Sequence, residues 1–370
     1  MLNLMYGVVL AVAVAGCGQN SLSVAETGDK PPSAPAIEIT PAFKTEAVAF
    51  DSDDPAIWIH PNEPSRSLIL GTDKGEDNDP GGLYVFDLTG KTVQAFTDIK
   101  RPNNVDVEYG LELDGKLVDI AVLTERNERR LRAFAIDRQT GRLSDISGPN
   151  LGVFAGEEGE KGAPMGIALY KRPSDSAIFA IVGRKTGPSE GYLWQYRLKA
   201  ESGKVNAELV RKFGRFSGAK EIESIVVDNE KGWVFYSDEK VGIRKYLADP
   251  DAPDAAMELA LFATNGREGD HEGLAIYADG DGGWLISCDQ LDDNSRYFVY
   301  PRTGTAGSHH NHEPELAILL GGADDTDGIE ATSANLGSQF PHGILVVMNS
   351  KDRNYLVYDF GKIKAKLMAK

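Results

Sequence analysis

Cysteine is almost missing. Only Cys17 and Cys288 occur in 370 residues, so the mature domain can hold no internal disulfide and no thiolate metal cluster. Histidine is scarce too, six in all. His309, His310 and His312 share a polar loop and are expected to be solvated, so zinc has few ligands to recruit. Positive charge is in deficit. Lys and Arg number 39 against 56 Asp and Glu, a formal net charge of −17, which excludes the basic footprint of nonspecific nucleic-acid binding. Helical segments of 10–15 residues are almost absent, and a doubly wound α/β fold would need them between its strands. The glycine-rich run Gly75 to Gly82 contains no G-x-x-x-x-G-K-[ST], so no P-loop is expected.

What is present is a repeated β unit. Its clearest copy is Glu221 to Tyr246, EIESIVVDNEKGWVFYSDEKVGIRKY. It reads as three short strands rich in β-formers, the first two joined by the turn Asn229-Glu230-Lys231-Gly232. Antiparallel pairing would bring the start of the first strand beside the end of the second, so Glu223 and Glu239 should meet. Similar first strands begin near Asp53, Asn104, Met165, Ile222, His271 and Gly328. Their spacing of about 50 to 60 residues is the period of propeller blades. The expected fold is all-β, a six-bladed β-propeller. Residues between Ile37 and Phe50 are expected to supply a strand that closes the ring with the last blade.

Residues 1–17 read as a lipoprotein-type signal peptide. The run is apolar, too short to span a membrane, and ends Val14-Ala15-Gly16-Cys17, with Cys17 the lipidated residue. No Lys or Arg precedes Cys17. Residues 18–36 are small and polar, a flexible tether, and 37–370 form the propeller. The expectation is an exported, monomeric protein held at the outer membrane or cell surface by its lipid alone. Residues 362–370 read as a basic, frayed tail.

First strands line a propeller's channel, so their starts and the ends of the second strands crowd one face. Early blades bring cations there: Lys74, Arg126, and Arg184 or Lys185. Later blades bring Glu223, Asp238, Glu239, Asp270, Glu272 and Asp289, with Gln290 and Asn349 nearby. Asp53 and Asp54 open the first blade, and Asp324, Asp325 and Asp327 precede the last. Crowded carboxylates need a neutralising partner. An all-oxygen donor set suits a hard cation, calcium above all. Lys and Arg beside it suit a phosphate. Metal-assisted phosphate hydrolysis follows.

Four stretches resemble the β-propeller phytases of bacteria: Asp53-Asp54-Pro55-Ala56-Ile57-Trp58, Asn103-Asn104-Val105-Asp106, Asp270-His271-Glu272-Gly273-Leu274 and Asp325-Thr326-Asp327-Gly328-Ile329. The resemblance implies an enzyme that takes phosphate from calcium-bound myo-inositol hexakisphosphate (phytate) by attack of a calcium-bridged water, with several calcium ions. Carried over by motif, Asp53, Lys74, Arg126, Glu223 and Glu239 form the catalytic set. Lys74, Arg126, Arg184 or Lys185, Gln290 and Asn104 would bind phosphate or lie near substrate. Asp54, Asp106, Glu223, Glu239, Asp270, Glu272 and Asp327 would hold metal. Met165 stands where the family carries a phosphate-binding Tyr. Two other readings share the acidic face: a calcium propeller of lactonase type, and a non-catalytic surface propeller binding an anionic ligand. Charge removal at Lys74 or Arg126 is expected to abolish phosphate release with thermal stability nearly unchanged.

Overall fold

The computed structural model describes residues 34–76 and 79–369. The signal peptide, Cys17 and most of the tether lie outside the described residues. Residues from Ala34 onward form one compact unit.

Six four-stranded antiparallel units make the propeller. Blade 1 runs Ser52–Trp58, Leu68–Asp73, Gly81–Asp87 and Thr92–Ile99; blade 2 runs Pro102–Leu113, Lys116–Glu125, Arg130–Ile136 and Leu143–Asp145. Blades 3 to 6 open with Pro164–Lys171, Ile225–Asp228, Asp270–Asp279 and Ile329–Thr332. Each blade is a meander: successive strands pair antiparallel, through connections that run from the two-residue turn at Asp114-Gly115 to the loop 302–316, and among the described residues none carries the crossover helix a parallel pair needs. The second strands Leu68–Asp73 and Ile178–Arg184 are buried along their whole length, and those of blades 2 and 5 over most of it. Burial on both faces explains their near-continuous apolar composition.

Ring closure is double. Phe43–Lys44 is the outermost strand of blade 6, with Phe43 opposite Val357. Ala36–Glu38 instead adds a fifth, parallel strand to blade 5, with Ala36 beside Ile318. The N-terminal segment thus fastens two blades rather than one. The basic end is not frayed: Phe360–Met368 is an α-helix, capped by the Asp359 side chain accepting from Gly361 N–H at 2.9 Å. Phe360 and Ile363 are buried, and the Phe360 ring stacks on Tyr277 with centroids 3.6 Å apart. Among the described residues no helix is long and apolar enough to cross a membrane.

Charged ties lock adjacent blades. Arg302, 1% exposed, forms a fork on Asp228 with two contacts of 2.7 Å, joining blade 5 to blade 4. Arg302→Met would leave the buried Asp228 without its ionic partner, with only Lys231 N–H still donating to it. The expected cost is about 3 to 5 kcal/mol, read by denaturant unfolding at fixed calcium. Activity per folded molecule should hold, because this tie lies at the opposite end of the inner strand from Glu223.

Candidate active site

The starts of the inner strands and the ends of the second strands converge on one face of the ring, and a two-residue rule governs what each blade places there. The last residue of the second strand, or in blade 5 the last but one, turns inward and holds the loop that leads into its own blade. The residue after it faces the site. In blade 1 the Asp73 carboxylate accepts from the N–H groups of Phe50, Asp51 and Gly75 at 2.9–3.1 Å. Glu125 accepts from Lys100 N–H and Arg130. Asp238 accepts from Ser217 and Arg244, and Asp289 from Gly269 N–H and Arg296. The next residues are Lys74, Arg126, Glu239 and Gln290, one from each of four blades.

Lys74 is the hub of one half of the face. Its ammonium lies 2.6 Å from Asp327 and 3.1 Å from Asp53. Burial disfavours the charge on Lys74, but Asp327, Asp53 and Glu223 outweigh it and push its pKa well above the usual lysine range. Gln290 donates to Asp327 from the other side. Asn103 Nδ2 donates to Glu223 at 2.7 Å and to Asp53 at 3.2 Å, tying blades 1, 2 and 4 across the channel mouth.

Glu223 leads into the second half. Candidate ligand oxygens of Glu221, Glu223 and Glu239 lie within 4.8 Å of one another, and so do those of Glu239, Asp270 and Glu272. Glu223 and Glu239 do meet, although the first strand of blade 4 starts only at Ile225. Burial raises Glu272 well above the carboxylate range, with Glu239, Glu223 and Asp327 adding to it. Burial likewise pushes Glu239 up to about 8. Glu223 goes the other way. Its burial is outweighed by Lys74, Arg126 and Lys185, which hold it below the usual range. Lys185 reaches Glu221 at 2.7 Å.

This donor set fits a hard divalent cation. Glu221 Oε2, Glu239 Oε1 and Glu272 Oε2 are buried and have no hydrogen-bond partner among the described residues. Such orphaned acceptors are costly unless something positive lies between them. The two carboxylate groups contain neither His nor Cys, so every donor is a hard oxygen.

A family model described as Phytase matches residues 6–359. The chain belongs to the phytase family. A 3-phytase from Bacillus subtilis (strain 168) is 30% identical over 322 residues, covering 85% of this chain and 79% of that one. A solved structure, Kuenenia stuttgartiensis Hydrazine Synthase, aligns over 82% of each chain at 11% identity and a TM-score of 0.46. That likeness is too slight to carry an argument.

In this phytase four sequence expectations need correction. Arg184 does not face the site. It occupies the loop-holding position of blade 3, bonded to the carbonyls of Lys161 and Gly191 and packed against the rings of Phe154, Tyr192 and Trp194 at 5.1–5.6 Å. Lys185, the next residue, is the blade 3 cation. Asp54, Asn104 and Asp106 turn into the central channel and line a cavity of about 320 Å³ below the face. Their positions follow from register shifts between Ser52 and Pro55 and between Pro102 and Val105, which break simple alternation. Asp54 accepts from Val105 N–H at 3.1 Å, and Asp106 from Leu169 N–H at 2.7 Å, so both tie inner strands together. Burial pushes Asp106 up to about 7. Asp238 and Asp289 are loop holders, as above. Finally, Lys74 is a buried partner of two carboxylates, so removing its charge should not leave thermal stability nearly unchanged.

The phytase face also holds residues to which the sequence assigned no role there: Asn103, Lys220, Glu221 and Lys240. Glu221 was findable, since alternation puts it on the side of Glu223. Asn103 was hidden by the bulge, and Lys220 lies in a loop with no periodicity to read. Glycine sets the closeness of the inner strands. A Cβ on Gly166 would stand 1.6 Å from the Glu223 carbonyl oxygen, and one on Gly328 would stand 2.3 Å from Asp54 Oδ1.

Proposed function

We propose that this phytase removes phosphate from myo-inositol hexakisphosphate and requires calcium to do so. The observation that carries the reading is a single face where Lys74, Arg126 and Lys185 border buried carboxylates with orphaned oxygens. The Bacillus relative is a 3-phytase, which supports phytate as the substrate.

Glu221, Glu223, Glu239, Asp270, Glu272 and Asp327 would hold the metal. Calcium bound there supplies positive charge shared between carboxylates and substrate phosphate, and it makes a water more acidic. The chain's own residues do the rest. Lys74, Arg126 and Lys185 hold the phosphoryl oxygens and the charge that grows on them. Arg126 is ready for this, since its buried Nε has no partner among the described residues. Asn103 and Lys74 orient Asp53, which takes the proton from the attacking water. Asn103 also anchors Glu223, so the phosphate-binding and metal-binding halves are set by one amide. Met165, 1% exposed, brings no polar group to this face, and Lys185 is left as the cation of that blade. Residues 1–17 fit an export signal in the same reading, with Cys17 as the lipid anchor.

The test is phosphate release from phytate by residues 34–370 with calcium, with chelator, and with calcium restored. Activity should vanish with chelator and return with calcium. Release indifferent to chelator would overturn the calcium requirement.

A further inference from the structure

The Glu239–Asp270–Glu272 pocket already contains a cation, and it belongs to the chain. Lys220 Nζ lies 2.8 Å from Glu239, 2.8 Å from Asp270 and 3.4 Å from Glu272. It sits between three carboxylates whose ligand oxygens lie within 4.8 Å of one another. An ammonium and a divalent ion cannot share that space, because like charges a few ångströms apart repel strongly in a partly dry site. The ammonium is also the weaker occupant. It carries one charge and three donors, and it leaves Glu239 Oε1 and Glu272 Oε2 without partners. A calcium ion takes six to eight oxygens.

Lys220 is built to leave. It lies in the strandless stretch between Lys204–Arg215 and Ile225–Asp228, two residues after Gly218, whose φ is +78°. Its side chain is 37% exposed although two of the three carboxylates it touches, Glu239 and Glu272, are buried. The four-carbon stem can swing to solvent without moving a strand. Lys240 pairs with Asp270 from the rim and can remain as a partial counter-charge.

We propose that Lys220 is a tethered competitor for the divalent cation: it closes the carboxylate pocket while calcium is scarce and is expelled when calcium binds. The inference rests on the calcium reading of the site. It makes the calcium threshold of this phytase a property of one side chain. Below the threshold the pocket holds the ammonium, which offsets part of its charge, and above it the pocket is loaded. An open pocket populated one time in ten weakens apparent calcium affinity about tenfold.

Two measurements test it. The first compares calcium binding by titration calorimetry in the wild type and Lys220→Met. The variant should bind the same number of ions about tenfold more tightly at its sensitive site. Its thermal midpoint without calcium should be lower and its calcium-induced gain larger. The second labels lysines with an acylating reagent, with and without calcium, and reads the Lys220 peptide by mass spectrometry. Labelling should rise several-fold with calcium. Unchanged affinity in Lys220→Met, or Lys220 labelling that stays level or falls with calcium, would overturn the proposal. One additional ion bound by the variant would also overturn it, since Lys220 would then be a permanent occupant. If neither protein binds calcium, the underlying reading of the site fails as well. If the wild type binds calcium and the variant matches it, only the competitor role fails.

Discussion

Lys74→Met is expected to lower phosphate release by about 10²- to 10³-fold and also to lower the thermal midpoint of the calcium-free protein. Both effects come from one ammonium. Lys74 is the cation through which blade 1 would meet a phosphoryl group, and it is the contact that holds Asp53 and Asp327 together at 3.1 and 2.6 Å. Asp53 is fully buried, and only 13% of the Lys74 side chain is exposed. Methionine fills the same volume and leaves two carboxylates facing each other without a counter-charge. Breaking such a buried contact costs about 3 kcal/mol or more, unless a proton or a metal ion takes its place. Arg126→Ala is the control. Arg126 supplies charge to the same face but forms no ion pair within the described residues, so it should lose activity with a smaller loss of thermal midpoint. Equal stability losses in the two variants would contradict the hub role of Lys74. Full activity in both would remove the basic half of the site.

The second large effect changes sign with calcium. Glu239→Gln and Glu272→Gln replace charged groups by neutral amides of the same shape. Without calcium this relieves repulsion within the carboxylate group, so the variants should unfold at equal or higher temperature than the wild type at pH 9. With calcium they should lose most of the ion's stabilising effect and about 10²-fold or more of the activity, since a carboxylate ligand is gone. The pH dependence follows with its sign. Burial raises Glu239 in the folded chain to about 8, against about 4.5 when unfolded. A folded-state pKa above the unfolded one gives stability that is complete below about pH 4.5 and lost as pH rises through about 8. The calcium-free thermal midpoint should therefore fall between about pH 5 and 9, and Glu239→Gln should flatten that fall. A calcium-free midpoint that climbs over this range would refute the electrostatic account of the pocket.

Much of this was legible in the sequence. The six-fold repeat, the meander and the meeting of Glu223 with Glu239 follow from strand period, turn composition and antiparallel pairing. The composition of the face was legible too, because equivalent blade positions share one end of the channel. What sequence periodicity missed sits where the backbone departs from it. Bulges at the openings of blades 1 and 2 turned Asp54, Asn104 and Asp106 into the channel and brought Asn103 to the face. Arg184 and Lys185 are indistinguishable by charge and were separated only by the hydrogen bonds of the residue before each site position. Lys220 belongs to a loop, and only folding sets it among three acids drawn from two blades.

The double closure of the ring has a consequence for how the molecule comes into being. Tyr355 N–H bonds to Thr45 Oγ1 across 310 positions of sequence, and Phe43 waits for Val357. A ribosome releases the first of these partners long before the second. During that interval the blades already made have no neighbour on one side, and their apolar flanks and strand edges are open to other chains. Contacts of such long range also make for slow folding. The ring is therefore a clock on its own synthesis: the N-terminal fasteners find their last partner only when Asn354–Asp359 has emerged, and the fold is completed at the seam rather than at the blade that formed first.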